Sequence, residues 1–269
     1  MMEALNITAT LGRRKVLQAV SAAAEPGKLT AIAGPNGCGK STLLRCISGD
    51  IPFSGTVRLN GRDVAGQKPL QLAAIRAVQP QSAAVAFPFT VLEIVRLGLS
   101  AGLPAADSGL PLQALEAVDL AGFAGRFYQD LSGGEKQRVQ LARVLVQVWQ
   151  PVVDGQPRWL ILDEPVSALD IGHQFTVMDL VKDYARRGGG VLAVMHDLNL
   201  TAMYADHVVL MQAGRVLADG PPQAVLTAET LSTAYGCRVP ASAPAPAELP
   251  YLLPQAREAA AQAAKAPSI

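Results

Sequence analysis

The nine residues Gly34–Thr42, GPNGCGKST, constrain this chain more than any other stretch. They fit G-x-x-x-x-G-K-[ST], follow an apolar run at Leu29–Ala33 and open a helical pattern at Lys40–Ser48. A glycine-rich turn between a strand and a helix lets the backbone wrap closely round phosphates. Its N–H groups and the helix N-terminus supply positive potential. The pattern assigns Gly34, Pro35, Asn36, Gly37, Cys38, Gly39, Lys40, Ser41 and Thr42 to nucleotide binding. Lys40 is expected to reach the β- and γ-phosphates, and the Ser41 hydroxyl to hold Mg²⁺. A dinucleotide loop, G-x-G-x-x-G, would need glycine where Thr42 stands.

Such a loop needs a parallel sheet behind it. Short aliphatic runs at Leu29–Ala33, Trp159–Leu162, Val191–Met195 and His207–Met211 read as buried strands. Between them lie helical patterns at Lys40–Ser48, Glu135–Trp149, His173–Arg187 and Leu198–Tyr204, and this alternation predicts an α/β fold. From about Ser82 to Gln150 the helical segments Leu92–Leu99, Leu112–Val118 and Glu135–Trp149 follow one another with no strand, as in a helical insertion. After about Pro240 the chain turns Ala- and Pro-rich, the signature of a tail with no chemistry of its own.

Composition removes other classes. Half of the 269 residues are hydrophobic, enough for a core. The longest run without Asp, Glu, Lys or Arg, Ala77–Leu92, contains Pro80, Pro88, Gln79 and Gln81 and cannot span a bilayer. The first residues carry an early acid and no apolar segment of the secretory kind. With 23 Lys+Arg against 22 Asp+Glu the net charge is +1, so no nucleic-acid footprint is expected. Cys38, Cys46 and Cys237 form no CxxC, which suits a reducing compartment. His173, His207 and Asp206 lack metal-ligand spacing. Gly188–Gly190 reads as a turn, with Arg186 and Arg187 set against a helix C-terminus. The expectation is a soluble intracellular chain whose link to a membrane runs through a partner.

RWLILDEP, Arg158–Pro165, is an apolar strand that delivers Asp163 and Glu164 at its carboxyl end. Ligands bind outside the carboxyl ends of strands in such sheets, so both acids belong near the phosphates. Asp163 suits the surroundings of Mg²⁺. Glu164 suits polarising a water for attack on the γ-phosphate.

LSGGE at Leu131–Glu135, running on as KQRVQLARVL, completes a trio with the loop and the acidic strand. Together they resemble the ATP-binding subunit of an ABC transporter over roughly residues 3–238. The resemblance implies a P-loop NTPase (RecA-like) core with an antiparallel β part and an inserted α-helical subdomain at about 82–156. It places the ATPase domain at 1–240 and the tail at 241–269. Gln81, in AVQPQ, is similar to the glutamine that senses Mg²⁺ and the attacking water. Ser167–Asp170, SALD, is similar to the loop that crosses a dimer interface. His196 is similar to the histidine that contacts the γ-phosphate.

The resemblance further implies two copies sandwiching two ATP molecules. Each would lie between one chain's Gly34–Thr42 and the other's Ser132, Gly133, Gly134 and Glu135, with Asp170 nearby. The signature stretch precedes a helix, which is itself an anion site. Implied partners are a second copy, two integral membrane permease subunits and, indirectly, a periplasmic substrate-binding protein. The implied place is the cytoplasmic face of the inner membrane.

Some positions depart from the family. Adenine usually stacks on an aromatic about two dozen residues before the loop, where Leu11 stands here; the base is then expected on Leu11 or against Arg13 or Arg14. Val166 replaces the more usual Thr. Cys38, beside a helix N-terminus, is expected to have a lowered thiol pKa and to block nucleotide when alkylated or oxidised.

Within the family, FPFTVLEIVRLG (Phe87–Gly98) and the stretch His207–Val239 are similar to iron-siderophore, heme and cobalamin importers. QVWQPVVDGQPRW, between the signature and the acidic strand, is most similar to hemin importer subunits. Ferric siderophore or cobalamin import, and a soluble ATPase of iron–sulfur cluster assembly, remain the alternatives. A DNA-repair ATPase would need a long coiled-coil insertion, whereas only about 90 residues separate the two loops. A translation-type chain would need two cassettes.

Overall fold

A computed structural model of the chain describes residues 1–81, 85, 87–99, 109–239 and 241. In chain order its strands are β1 (Met2–Leu11), β2 (Arg14–Ala24), β3 (Leu29–Ala33), β4 (Ser54–Leu59), β5 (Arg62–Asp63), β6 (Arg76–Gln79), β7 (Val152–Val153), β8 (Gln156–Pro157), β9 (Trp159–Asp163), β10 (Gly190–Val194), β11 (His207–Gln212) and β12 (Arg215–Gly220). The helices are α1 (Lys40–Ser48), α2 (Pro69–Ile75), α3 (Val91–Arg96), α4 (Leu110–Ala117), α5 (Gly133–Gln147), α6 (Ile171–Arg186), α7 (Leu198–Tyr204), α8 (Pro222–Val225) and α9 (Ala228–Tyr235).

Two sheets organise the molecule. The central one has the order β12-β11-β3-β10-β9-β6, with β11, β3, β10, β9 and β6 parallel and β12 antiparallel at the edge. The other, β2-β1-β4-β5, is antiparallel. The central strands are short and apolar because both of their faces are covered. In β9, Leu160 and Leu162 face a core shared with α3, α4, α5 and α6, while Trp159 and Ile161 face one shared with α1 and the antiparallel sheet. The same alternation places Leu29, Ala31 and Ala33 of β3 on the first side and Ile32 on the second. Burying both faces of five strands makes the sheet a rigid platform, and its carboxyl edge carries the loops described below.

The expected strands appear, shifted at most one residue at their ends, and the strand–turn–strand–helix–helix succession after His207 is present. The sequence reading missed β6, whose four residues include Arg76 and Gln79 and show no apolar run. It also missed a hairpin inside the hemin-importer-like stretch. There Asp154 (φ 51°) and Gly155 (φ 70°) turn β7 back onto β8, as an Asp-Gly pair does when both residues take positive φ. The expected tail lies outside the described residues apart from position 241, and the expected helical insertion lies partly outside them. Among the described residues no helix is long and apolar enough to cross a membrane.

Candidate functional site: a phosphate loop flanked by an acid and a histidine

β3 ends at Ala33 and the chain turns at once. Gly34 has φ +140°, and a Cβ there would stand 2.2 Å from the Met211 carbonyl oxygen of β11. Only glycine passes this point. Gly39, at φ +108°, begins α1, and a Cβ on it would press to 2.8 Å from Leu17. The loop between them closes round its own lysine. Lys40 Nζ donates to the carbonyls of Gly34 (2.8 Å) and Pro35 (3.0 Å). Lys40 is only 5% exposed, so two carbonyl dipoles hold a nearly buried ammonium in place.

Beside the loop opens a cleft of about 770 Å³, lined in part by Asn36, Gly37, Gly39, Lys40, Ser41 and Thr42. That volume is within the range of small-molecule sites. Gln81, Glu164 and His196 line it as well.

The acids come from β9. Asp163 is 5% exposed and accepts a hydrogen bond from Ser41 Oγ at 3.0 Å. Burial pushes its carboxyl above the usual range, against the opposing effect of that hydrogen bond. A hydroxyl and a carboxylate oxygen side by side at the foot of the phosphate loop are the donor set that a hard divalent cation takes, so the residues present fit Mg²⁺.

Glu164 has φ 54°, left-handed for a residue with a side chain. Holding it there costs on the order of 1–3 kcal/mol, which the surroundings must supply. Its N–H donates to the Val194 carbonyl (3.2 Å), and its carbonyl accepts from the Gln137 side chain (2.6 Å) and from Ser167 Oγ (3.3 Å). The carboxylate is thereby turned from the strand into the cleft, where Oε1 lies 2.5 Å from His196 Nε2. His196 follows β10, the neighbour of β9 in the sheet.

Other expected site residues lie elsewhere. Cys38 is turned beneath the loop, 4% exposed. Burial pushes its thiol up, and the Lys40 charge and backbone N–H groups offset this only in part. The expectation of a lowered thiol pKa is therefore corrected: proximity to a helix N-terminus is outweighed by loss of water. Asp170 does not line the cleft. It caps α6, accepting the His173 N–H at 3.0 Å and contacting His173 Nδ1 at 2.7 Å, and these hydrogen bonds hold its carboxyl low.

Ser132, Gly133, Gly134 and Glu135 also stand outside the cleft, at the start of α5. Ser132 Oγ accepts the Glu135 N–H (3.3 Å), and the Ser132 N–H donates to Glu135 Oε2 (2.7 Å). This reciprocal pair is the capping box that S-x-x-E favours, and it holds the Glu135 carboxyl low.

Of the three residues expected near the base, Leu11, Arg13 and Arg14, one stands in the cleft lining. Arg14 and Val16 line the cleft; Leu11 and Arg13 do not. Leu11 and Arg14 are direct partners at the turn end of the β1–β2 ladder. Gln137, on α5, is a contributor that the sequence reading missed. Its position two residues after the signature was visible, but its contacts were not.

A buried phosphate loop, an adjacent hydroxyl–carboxylate pair and a carboxylate facing a histidine define a nucleoside-triphosphate-hydrolysing P-loop cassette. Residues 17–167 match the ABC transporter family, and the chain belongs to it as an ABC ATPase. "Hemin import ATP-binding protein HmuV" of Roseobacter denitrificans is 58% identical over 95% of this chain and 98% of its own. The protein of the same name from Jannaschia sp. is 59% identical, over 94% of each. Among solved structures, MJ1267, an ATP-binding cassette of an ABC transporter, is 25% identical with a TM-score of 0.75, covering 87% of this chain and 98% of that one. The dimeric bacterial ABC transporter cassette MJ0796 is 26% identical with a TM-score of 0.72, covering 82% and 99%.

Proposed function

We propose that this chain is the ATP-hydrolysing motor of a hemin importer, working as a homodimer on two permease subunits at the cytoplasmic face of the inner membrane. A periplasmic binding protein would act on the complex indirectly. The observation that carries the hydrolytic part is the Glu164–His196 contact beside the phosphate loop. The cargo rests on the near end-to-end likeness to hemin import ATP-binding proteins.

In this reading the residues divide the work. Backbone N–H groups of Gly34–Thr42 and the Lys40 ammonium bind the β- and γ-phosphates. Ser41 and Asp163, with Gln81, would hold Mg²⁺, and the ion would supply charge neutralisation at the phosphates. Glu164 takes a proton from the attacking water, and His196 holds that carboxylate and meets the γ-phosphate. Ser132, Gly133, Gly134 and Glu135, with Asp170 nearby, serve the partner copy's nucleotide, which accounts for their standing outside this chain's own cleft.

The helical subdomain at about 82–156, inserted in an ATPase domain of residues 1–240, carries the permease contact. Phe87 (70% exposed) and Leu97 (50% exposed) bracket its first helix and offer apolar surface close in sequence to Gln81.

Growth of the source organism carrying Glu164→Gln, with hemin as the sole iron source and a ferric salt as control, tests this reading. Failure on hemin alone is expected. Normal growth on hemin would discard the cargo and direct the same test to ferric siderophore and cobalamin.

A further inference from the structure

The side chain of Gln137 stands between two functional loops. Its Nε2 donates to the Glu164 carbonyl (2.6 Å) and reaches Ser167 Oγ (3.3 Å), while its Oε1 accepts the Ala168 N–H (3.0 Å). The amide orientation is fixed by its partners, because a carbonyl can only accept and a backbone N–H can only donate. α5 itself is pressed against the same segment: a Cβ on Gly134 would stand 3.0 Å from the Ala168 carbonyl and 3.3 Å from Leu169 Cδ2. Ser132, which begins this helix, and Gln137 are five residues apart, about 7.5 Å along a rigid helix.

We propose that Gln137 is the positioning residue that makes hydrolysis at one nucleotide site depend on occupancy of the other. The inference rests on the dimer reading above, in which Ser132–Glu135 meets the partner copy's nucleotide. A nucleotide seated there orders or displaces the start of α5. The displacement reaches Gln137 within one and a half turns, and from Gln137 it passes into the backbone of Glu164. That backbone is already in a conformation that its neighbours must enforce, with φ 54°. Loss of the Gln137 grip lets the carboxylate drift from the attacking water, and misplacements of about 1 Å cost up to ~10²-fold in rate. The two sites then share a mechanical element whose arrangement both nucleotides bias, which is what coupling between sites requires.

Gln137→Met removes all three polar contacts at nearly constant volume. Gln137→Glu keeps an acceptor for Ala168 and removes the donor to Glu164. In the full chain, both are expected to lower kcat about 10- to 100-fold while leaving the Kd for ATP within about twofold, since Gln137 is outside the phosphate loop. The Hill coefficient for ATP should fall from about 2 toward about 1. In a Glu164→Gln background, both variants should still form the ATP-bound dimer, which shows the helix intact.

Unchanged kcat and Hill coefficient in both variants would overturn the proposal. So would loss of ATP binding and dimer formation together with kcat, because Gln137 would then be merely structural. A wild-type chain that neither dimerises with ATP in the Glu164→Gln background nor hydrolyses it cooperatively would overturn the dimer reading, and the proposal with it.

Discussion

Glu164 Oε1 and His196 Nε2 lie 2.5 Å apart across the carboxyl ends of two neighbouring parallel strands. A carboxylate so placed is oriented by its partner and held within the cleft where it can accept a proton. Glu164→Gln keeps the shape and a hydrogen bond to His196 but removes the base. Hydrolysis should fall about 10²- to 10⁴-fold with ATP affinity retained, and gel filtration with ATP should show an accumulated dimer.

Lys40→Ala should fail differently. The lost ammonium removes the bond to phosphate and also the two carbonyl contacts that hold Gly34 and Pro35 in place. Nucleotide binding itself should weaken at least about tenfold, since a hydrogen bond to a charged group contributes about 1.5–3 kcal/mol. Titration calorimetry with an ATP analogue separates this variant from Glu164→Gln; equal affinities in the two would contradict the division of roles.

Because Arg14 lines the cleft and Leu11 does not, Arg14→Ala should raise KM for ATP several-fold and Leu11→Ala should leave it unchanged. A guanidinium over a base contributes on the order of 0.5–2 kcal/mol and discriminates between bases less than a shaped aromatic pocket does. GTP should therefore compete with ATP measurably, and steady-state kinetics with both nucleotides checks this.

Cys38 should be slow toward thiol reagents and Cys237 fast. Cys237 is exposed, whereas Cys38 is buried with its thiol pKa raised. Only the thiolate reacts, so labelling of Cys38 should climb with pH above the range in which an ordinary thiol has already ionised. Peptide mass spectrometry after timed alkylation at pH 7 and pH 9 gives both rates. Comparable rates at pH 7 would mean that the loop opens far more readily than its packing allows.

Gly34→Ala forces a Cβ to 2.2 Å from a backbone carbonyl that cannot move without distorting β11. The expected loss is about 2–5 kcal/mol, seen as a markedly lower Tm. Gly37→Ala meets no atom within 4 Å and bears only the cost of its φ of +76°, so it should lose less.

These predictions differ in how far the sequence alone supports them. The phosphate loop and the acidic strand were legible because each is a local pattern with its own strand or helix attached. The antiparallel sheet came only by family resemblance, since alternating Ala, Thr and Gln in β1 and β2 give a faint two-residue period. The depth of Cys38 was illegible, because helix proximity can be read from spacing but burial depends on residues far along the chain. Arg14 was legible only as one of three neighbours, because which side chain of a tight hairpin reaches the cleft depends on how the two sheets pack and not on spacing. Gln137 had no signal of its own, because three of its polar contacts lie 27 to 31 residues downstream.

The position of β3 bears on how the molecule is made. The strand that launches the phosphate loop is flanked by β10 and β11, and Gly34 rests on the carbonyl of Met211. Both flanking strands are translated more than 150 residues after Leu29. The loop therefore cannot take its working shape on a nascent chain until nearly the whole cassette has left the ribosome. Such long-range pairing also slows folding. A polypeptide arrested before residue 207 would carry the complete GPNGCGKST motif without the strand against which Gly34 packs, and should fail to hold a nucleotide.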